Sequence, residues 1–69
     1  MKGVDYYYGE FRRILNSESP QLTNEFDELI SQPTLRANEV FLWLEEKNRK
    51  GLLPQEMDSF LTDFFWEIR

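Results

Sequence analysis

Residues 19–34 read Ser-Pro-Gln-Leu-Thr-Asn-Glu-Phe-Asp-Glu-Leu-Ile-Ser-Gln-Pro-Thr, and this stretch decides the fold. Ser19 before Pro20 is a helix start. A serine hydroxyl accepts a hydrogen bond from a free N–H of the first turn, and proline's fixed φ suits the first helical position, where its missing N–H costs nothing. Leu22, Phe26, Leu29 and Ile30 then recur along one helical face, with Asn24, Glu25, Asp27 and Glu28 turned outward. Pro33 disfavours helical geometry at Gln32 and closes the segment. A short amphipathic helix fenced by prolines has to bury its stripe against other helices, so the rest of the chain must supply partners of the same kind.

Upstream, Asp5 is expected to cap a helix reaching about Leu15. Val4, Tyr7, Tyr8, Phe11, Ile14 and Leu15 form its face, and Asn16, Ser17 and Ser19 break it. Downstream, Thr34 is expected to cap a third helix from about Leu35 to Lys50 that stops at Gly51. Lys47, Arg49 and Lys50 suit the negative end of its dipole, and Leu52 is placed for the hydrophobic contact of a glycine C-cap. Pro54 opens a fourth helix with the stripe Met57, Phe60, Leu61, Phe64 and Ile68. The expected fold class is all-α, a compact bundle of four short helices, with residues 1–69 forming a single helical domain.

Composition bounds the function. The 69 residues include six Phe, three Tyr and two Trp, but no His and no Cys, and carry a net charge of −5. Without His or Cys the commonest metal ligands and the usual neutral-pH acid/base group are missing, so no metal and no cofactor are expected. A core this small supplies only ~3–5 kcal/mol, which makes self-association as a homodimer an expected source of further stability. The start Met1-Lys2-Gly3-Val4-Asp5 is not the apolar run of a signal peptide, and the longest uninterrupted apolar stretch is Val40 to Leu44. A cytoplasmic protein without membrane attachment is therefore expected. The acidic balance argues against direct nucleic-acid binding, which needs clustered Lys and Arg, and favours a protein partner with a basic surface.

Some aromatic residues exceed what one core uses. On the third helix Ala37, Val40, Phe41 and Leu44 point one way, whereas Leu35, Leu42 and Trp43 fall on other sides. A helix apolar nearly all round is usually buried, which puts the third helix at the centre of the bundle; the alternative is that Trp43 faces a partner. On the fourth helix Trp66 lies opposite the stripe and Phe65 at its edge, while Tyr6 reads as a solvent-edge tyrosine. Trp43, Phe65 and Trp66 are the candidate anchors, because aromatic side chains dominate interface energetics. Glu25, Asp27 and Glu28 of the second helix and Glu56, Asp63 and Glu67 of the fourth are the candidate electrostatic complement. A rod of carboxylates can mimic a nucleic-acid backbone; equally, an acidic face keeps a small protein soluble.

Catalysis finds no support. Gly3, Gly9 and Gly51 are isolated, so there is no phosphate loop, and short helices offer little to enclose a substrate pocket. The chain is not expected to be an enzyme. A helix-turn-helix DNA-binding regulator is an alternative, with Ser31 to Thr34 as the turn and Arg36, Asn38 and Glu39 near base edges, although Glu45 and Glu46 oppose DNA. Phe11-Arg12-Arg13 and Phe65-Trp66-Glu67-Ile68-Arg69 resemble the ends of the small Hha-like nucleoid modulators. The middle of the chain does not match that family, and no role carries over. The expected function is a stoichiometric inhibitor or regulator of the immunity, antitoxin or phage anti-defence type, blocking a basic, nucleic-acid-handling partner. A structural or assembly adaptor shares the same features.

Overall fold

Ser19 joins the first two helices by itself. In the computed structural model, which describes residues 3–69, its N–H donates to Leu15 O at 2.7 Å and ends α1 (Val4–Glu18). Its Oγ accepts from Leu22 N at 3.4 Å and caps α2 (Pro20–Ile30), as the Ser-Pro pair predicts. The Ser19 carbonyl accepts from both the backbone N–H and the hydroxyl of Thr23, each at 3.2 Å, which satisfies the one buried polar side chain among the described residues. Two helices joined through one extended residue must fold back on each other, and α2 packs along α1. Met1 and Lys2, which entered the signal-peptide expectation, lie outside the described residues.

Among the described residues there are four helices and no strand, completed by α3 (Ala37–Arg49) and α4 (Glu56–Ile68). Several boundaries differ from the sequence reading, each for a local reason. Gly3 rather than Asp5 is the N-cap of α1, which places the Asp5 carboxylate inside the first turn, where it still favours the positive end of the dipole. Asn16 and Ser17 do not break α1, because Ser17 Oγ donates to the Ile14 carbonyl at 2.7 Å and the helix continues to Glu18. Thr34 does not cap α3. Leu35 N donates to Gln32 O at 3.2 Å, closing a turn that delays the helix to Ala37, with Arg36 as its N-cap. Pro54 stands before α4 and contributes its carbonyl to Met57 N at 3.0 Å, with Gln55 as the N-cap.

The glycine stop holds. Gly51 has φ +74, its N–H donates to Asn48 O at 3.0 Å, and Leu52 N donates to Lys47 O at 3.1 Å. These are the two bonds of a Schellman C-cap, which need a left-handed residue that glycine adopts without steric cost. Leu52 nevertheless stays 48% exposed, and it is Leu53 that packs against the core.

The inner helices of the bundle are α1 and α4, not α3. The first packs against both α2 and α4 and contributes Tyr7, Phe11, Ile14 and Leu15 to the core, while α4 packs against both α1 and α3. Phe11 joins the layers, with ring centroids 5.2 Å from Phe64 and 6.4 Å from Phe26, both close to edge-to-face. Such pairs add about 0.5–1.5 kcal/mol to the burial itself. On α3, Val40 and Leu44 are buried against α4, but Leu42 remains 58% exposed, so the apolar residues round that helix do not mark a central position. Among the described residues no helix is long and apolar enough to cross a membrane.

Candidate partner-binding surface

The α3–α4 seam is incompletely filled. Leu61, only 6% exposed, floors an open groove of about 430 Å³ lined by Phe41 of α3 and Phe65 of α4. These two rings meet at 5.2 Å and form one wall from both helices. Glu45, Asn48, Asp58 and Thr62 complete the rim. Asn48 Nδ2 donates to Asp58 Oδ1 at 2.6 Å and ties the C-terminal half of α3 to the first turn of α4. An apolar floor under a mixed polar and acidic rim is a common shape for an interface patch.

From Phe65 the apolar surface continues outward. Trp66 stands at 5.7 Å from Phe65 with ring planes at 76°; Phe65 is 37% exposed and Trp66 64%. Helical spacing places Trp66 with Ser59, Thr62 and Asp63 on the outward face, opposite the buried Met57 and Phe64. The Arg69 guanidinium lies 5.4 Å from the Phe65 centroid and 5.0 Å from that of Trp66, within cation–π range of both.

The other proposed anchor sits elsewhere. Trp43 is half-buried against the core, 5.9 Å from Phe26, with Lys47 Nζ 5.4 Å from its ring centroid. Lys47 is in turn 3.9 Å from Glu25, so Phe26 of α2 and Lys47 of α3 both lie against this indole. Tyr6 lies at the solvent edge as its position on the helix predicts, 41% exposed and edge-on to Tyr7 at 5.2 Å.

The six candidate carboxylates divide into two groups. Asp27 receives both arms of Arg12, at 2.9 and 3.2 Å, across the α1–α2 contact, and this bond raises the Arg12 pKa above its ordinary value. Glu25 faces Lys47, and Glu56 lies 4.0 Å from Arg13. Glu28, Asp63 and Glu67 take part in no ion pair among the described residues. Because α2 packs on α1 while the groove lies between α3 and α4, the α2 acids are not part of the groove rim; Asp63, one helical turn before Trp66 and Glu67, is on the aromatic side.

Phe41, Glu45, Asp58 and Arg69 belong to this surface and were not singled out from sequence. Phe41 reads as core on the helical wheel, and only the approach of α4 turns it into a wall. Arg69 carried a signal, since it follows Phe65 by four residues and Trp66 by three. The turn between α2 and α3 spans residues 31–36, longer than the ~3–4 residues of a helix-turn-helix. In comparisons with known proteins, no family model, no curated protein and no solved structure matches this chain.

Proposed function

We propose that this chain is a protein-binding domain that acts by occupancy, docking a basic partner on the α3–α4 groove and the adjoining Phe65–Trp66 pair. The observation that carries this reading is the continuity of exposed aromatic surface with a groove rimmed by Glu45 and Asp58. Exposed Trp beside a partly filled apolar groove is the arrangement of an interface hot spot, and carboxylates around it select a cationic partner. In a symmetric homodimer through this patch the acid rims would oppose each other, so a basic heterologous partner suits it better. The most concrete form is a stoichiometric inhibitor of a nucleic-acid-handling protein, of the immunity, antitoxin or phage anti-defence kind, with the outward acids Asp63 and Glu67 standing where phosphates would.

Affinity capture from the native host tests this, comparing the unaltered chain with Trp66→Ala and with a Glu45→Gln/Asp58→Asn/Asp63→Asn chain. Both variants should lose at least tenfold in capture of the same basic protein, and the unaltered chain should block that protein's nucleic-acid binding at one-to-one stoichiometry. Equal capture by all three chains would remove the surface from consideration.

A further inference from the structure

Two cation–π contacts in this molecule differ in a way that points to a specific ligand group. Lys47 over Trp43 is a packing contact, because its ring is half-buried against Phe26 and its ammonium also faces Glu25. Arg69 over Phe65 and Trp66 is open to solvent. It makes no ion pair among the described residues, and both rings under it are exposed. The rings stand near perpendicular at 76°, so they form a corner into which the planar guanidinium fits.

Resting on the proposal of a basic partner, we infer that this corner is a seat for an arginine side chain of that partner, and that Arg69 holds the seat in the free protein. The partner's arginine would displace Arg69 and gain the same two ring faces. Arginine suits the seat better than lysine, since guanidinium is planar, more weakly hydrated and stacks on aromatic faces. The acidic balance of α4, with Glu56, Asp58, Asp63 and Glu67 against no Lys or Arg within the helix, adds attraction for an incoming cation. Phe65 is shared between seat and groove, and Leu61 lies one helical turn before it. A partner helix with a leucine on the Leu61 floor would therefore present its arginine from a position three or four residues away. The ligand class is thus a helical segment carrying leucine and arginine at that spacing.

Calorimetric titration of the full chain with two helical peptides tests the seat, one pairing leucine with arginine at four-residue spacing and the other with lysine in place of every arginine. The arginine peptide should bind up to about fivefold tighter, the ceiling set by ~0.5–1 kcal/mol of exposed cation–π interaction, part of which lysine also gains. Arg69→Gln should raise affinity for the arginine peptide, and by more than for the lysine peptide, since lost charge repulsion helps both alike. Trp66→Ala should abolish the preference between peptides. If the two peptides bind equally, or if Arg69→Gln helps both by the same factor, the arginine seat is wrong while the basic-partner proposal stands. If neither peptide binds, both are overturned.

Discussion

Phe41 of α3 and Phe65 of α4 meet at 5.2 Å with their planes inclined by 42°, and this contact makes the groove wall out of residues on two helices. Phe65 therefore serves both packing and exposure, whereas the ring and cation contacts of Trp66 among the described residues are with Phe65 and Arg69. Trp66→Ala should leave thermal stability within about 0.5 kcal/mol of the parent, as for an exposed side chain away from the core. Phe65→Ala should cost more, about 1 kcal/mol, through the lost ring pair. Paired denaturant melts distinguish the two, and an equal loss in both would mean that Trp66 is not the free surface it forms here.

The core hangs on Phe11, fully buried between Phe26 and Phe64. Truncating a buried Phe to Ala costs about 3–5 kcal/mol, comparable to the ~3–5 kcal/mol that one small core supplies. Phe11→Ala should be largely unfolded at room temperature by far-ultraviolet circular dichroism. A cooperative melt close to that of the parent would contradict the bundle centre described here.

Ser19 ends one helix and starts the next. Ser19→Ala removes the acceptor for Leu22 N while leaving the backbone bonds to Leu15 and Thr23 available. The expected loss is about 1 kcal/mol, or roughly 4–8 °C in Tm for a chain of this size. Ser19→Asp should keep most of the stability, because its carboxylate can accept the same bond.

Two glycines should respond to alanine with opposite signs. Gly51 has φ +74, and a Cβ there costs about 1–2 kcal/mol through left-handed strain, even though nothing lies within 4 Å to clash with it. Gly9 is an exposed position inside α1 with equally open space around its Cβ direction, so Gly9→Ala should stabilise by about 0.5–1 kcal/mol. Melting both variants against the parent checks the sign at each site.

Tyr8 ties stability to alkaline pH. Burial, and then the Asp5 carboxylate, raise its pKa above the ordinary 10.0, so the folded chain holds the phenol proton more tightly than the unfolded one. The sign follows by linkage: Tyr8's contribution is fully present below the unfolded pKa and is lost as pH rises through the folded one. Tyr8→Phe should flatten the fall of the denaturation midpoint with pH on the alkaline side. Parallel curves for the two chains would show that Tyr8 titrates as a free phenol.

Most of the helical architecture was legible in the chain because its signals are local. The Ser19-Pro20 start, the Gly51 stop and the stripes of Phe11, Phe26 and Phe64 arise within a few residues of backbone, where proline, glycine and 3.6-residue periodicity act directly. The misplaced helix starts involve Asp5, Thr34 and Pro54, each a residue suited to that position, and the first helix also runs past Asn16 and Ser17 to Glu18. Trp66 was legible for the same local reason, since it lies opposite a long stripe on its own helix.

The sequence by itself determined four short helices, their buried faces, the acidic charge and the outward position of Phe65 and Trp66, because all of these are properties of a single helix. The tertiary structure alone placed α1 and α4 rather than α3 inside the bundle, laid Trp43 on the core and turned Glu25, Asp27 and Glu56 toward cations on other helices. It also paired Phe41 and Phe65 as one wall of an open groove floored by Leu61. These depend on which helix faces approach one another, and residues far apart in the chain carry no local signal of that approach.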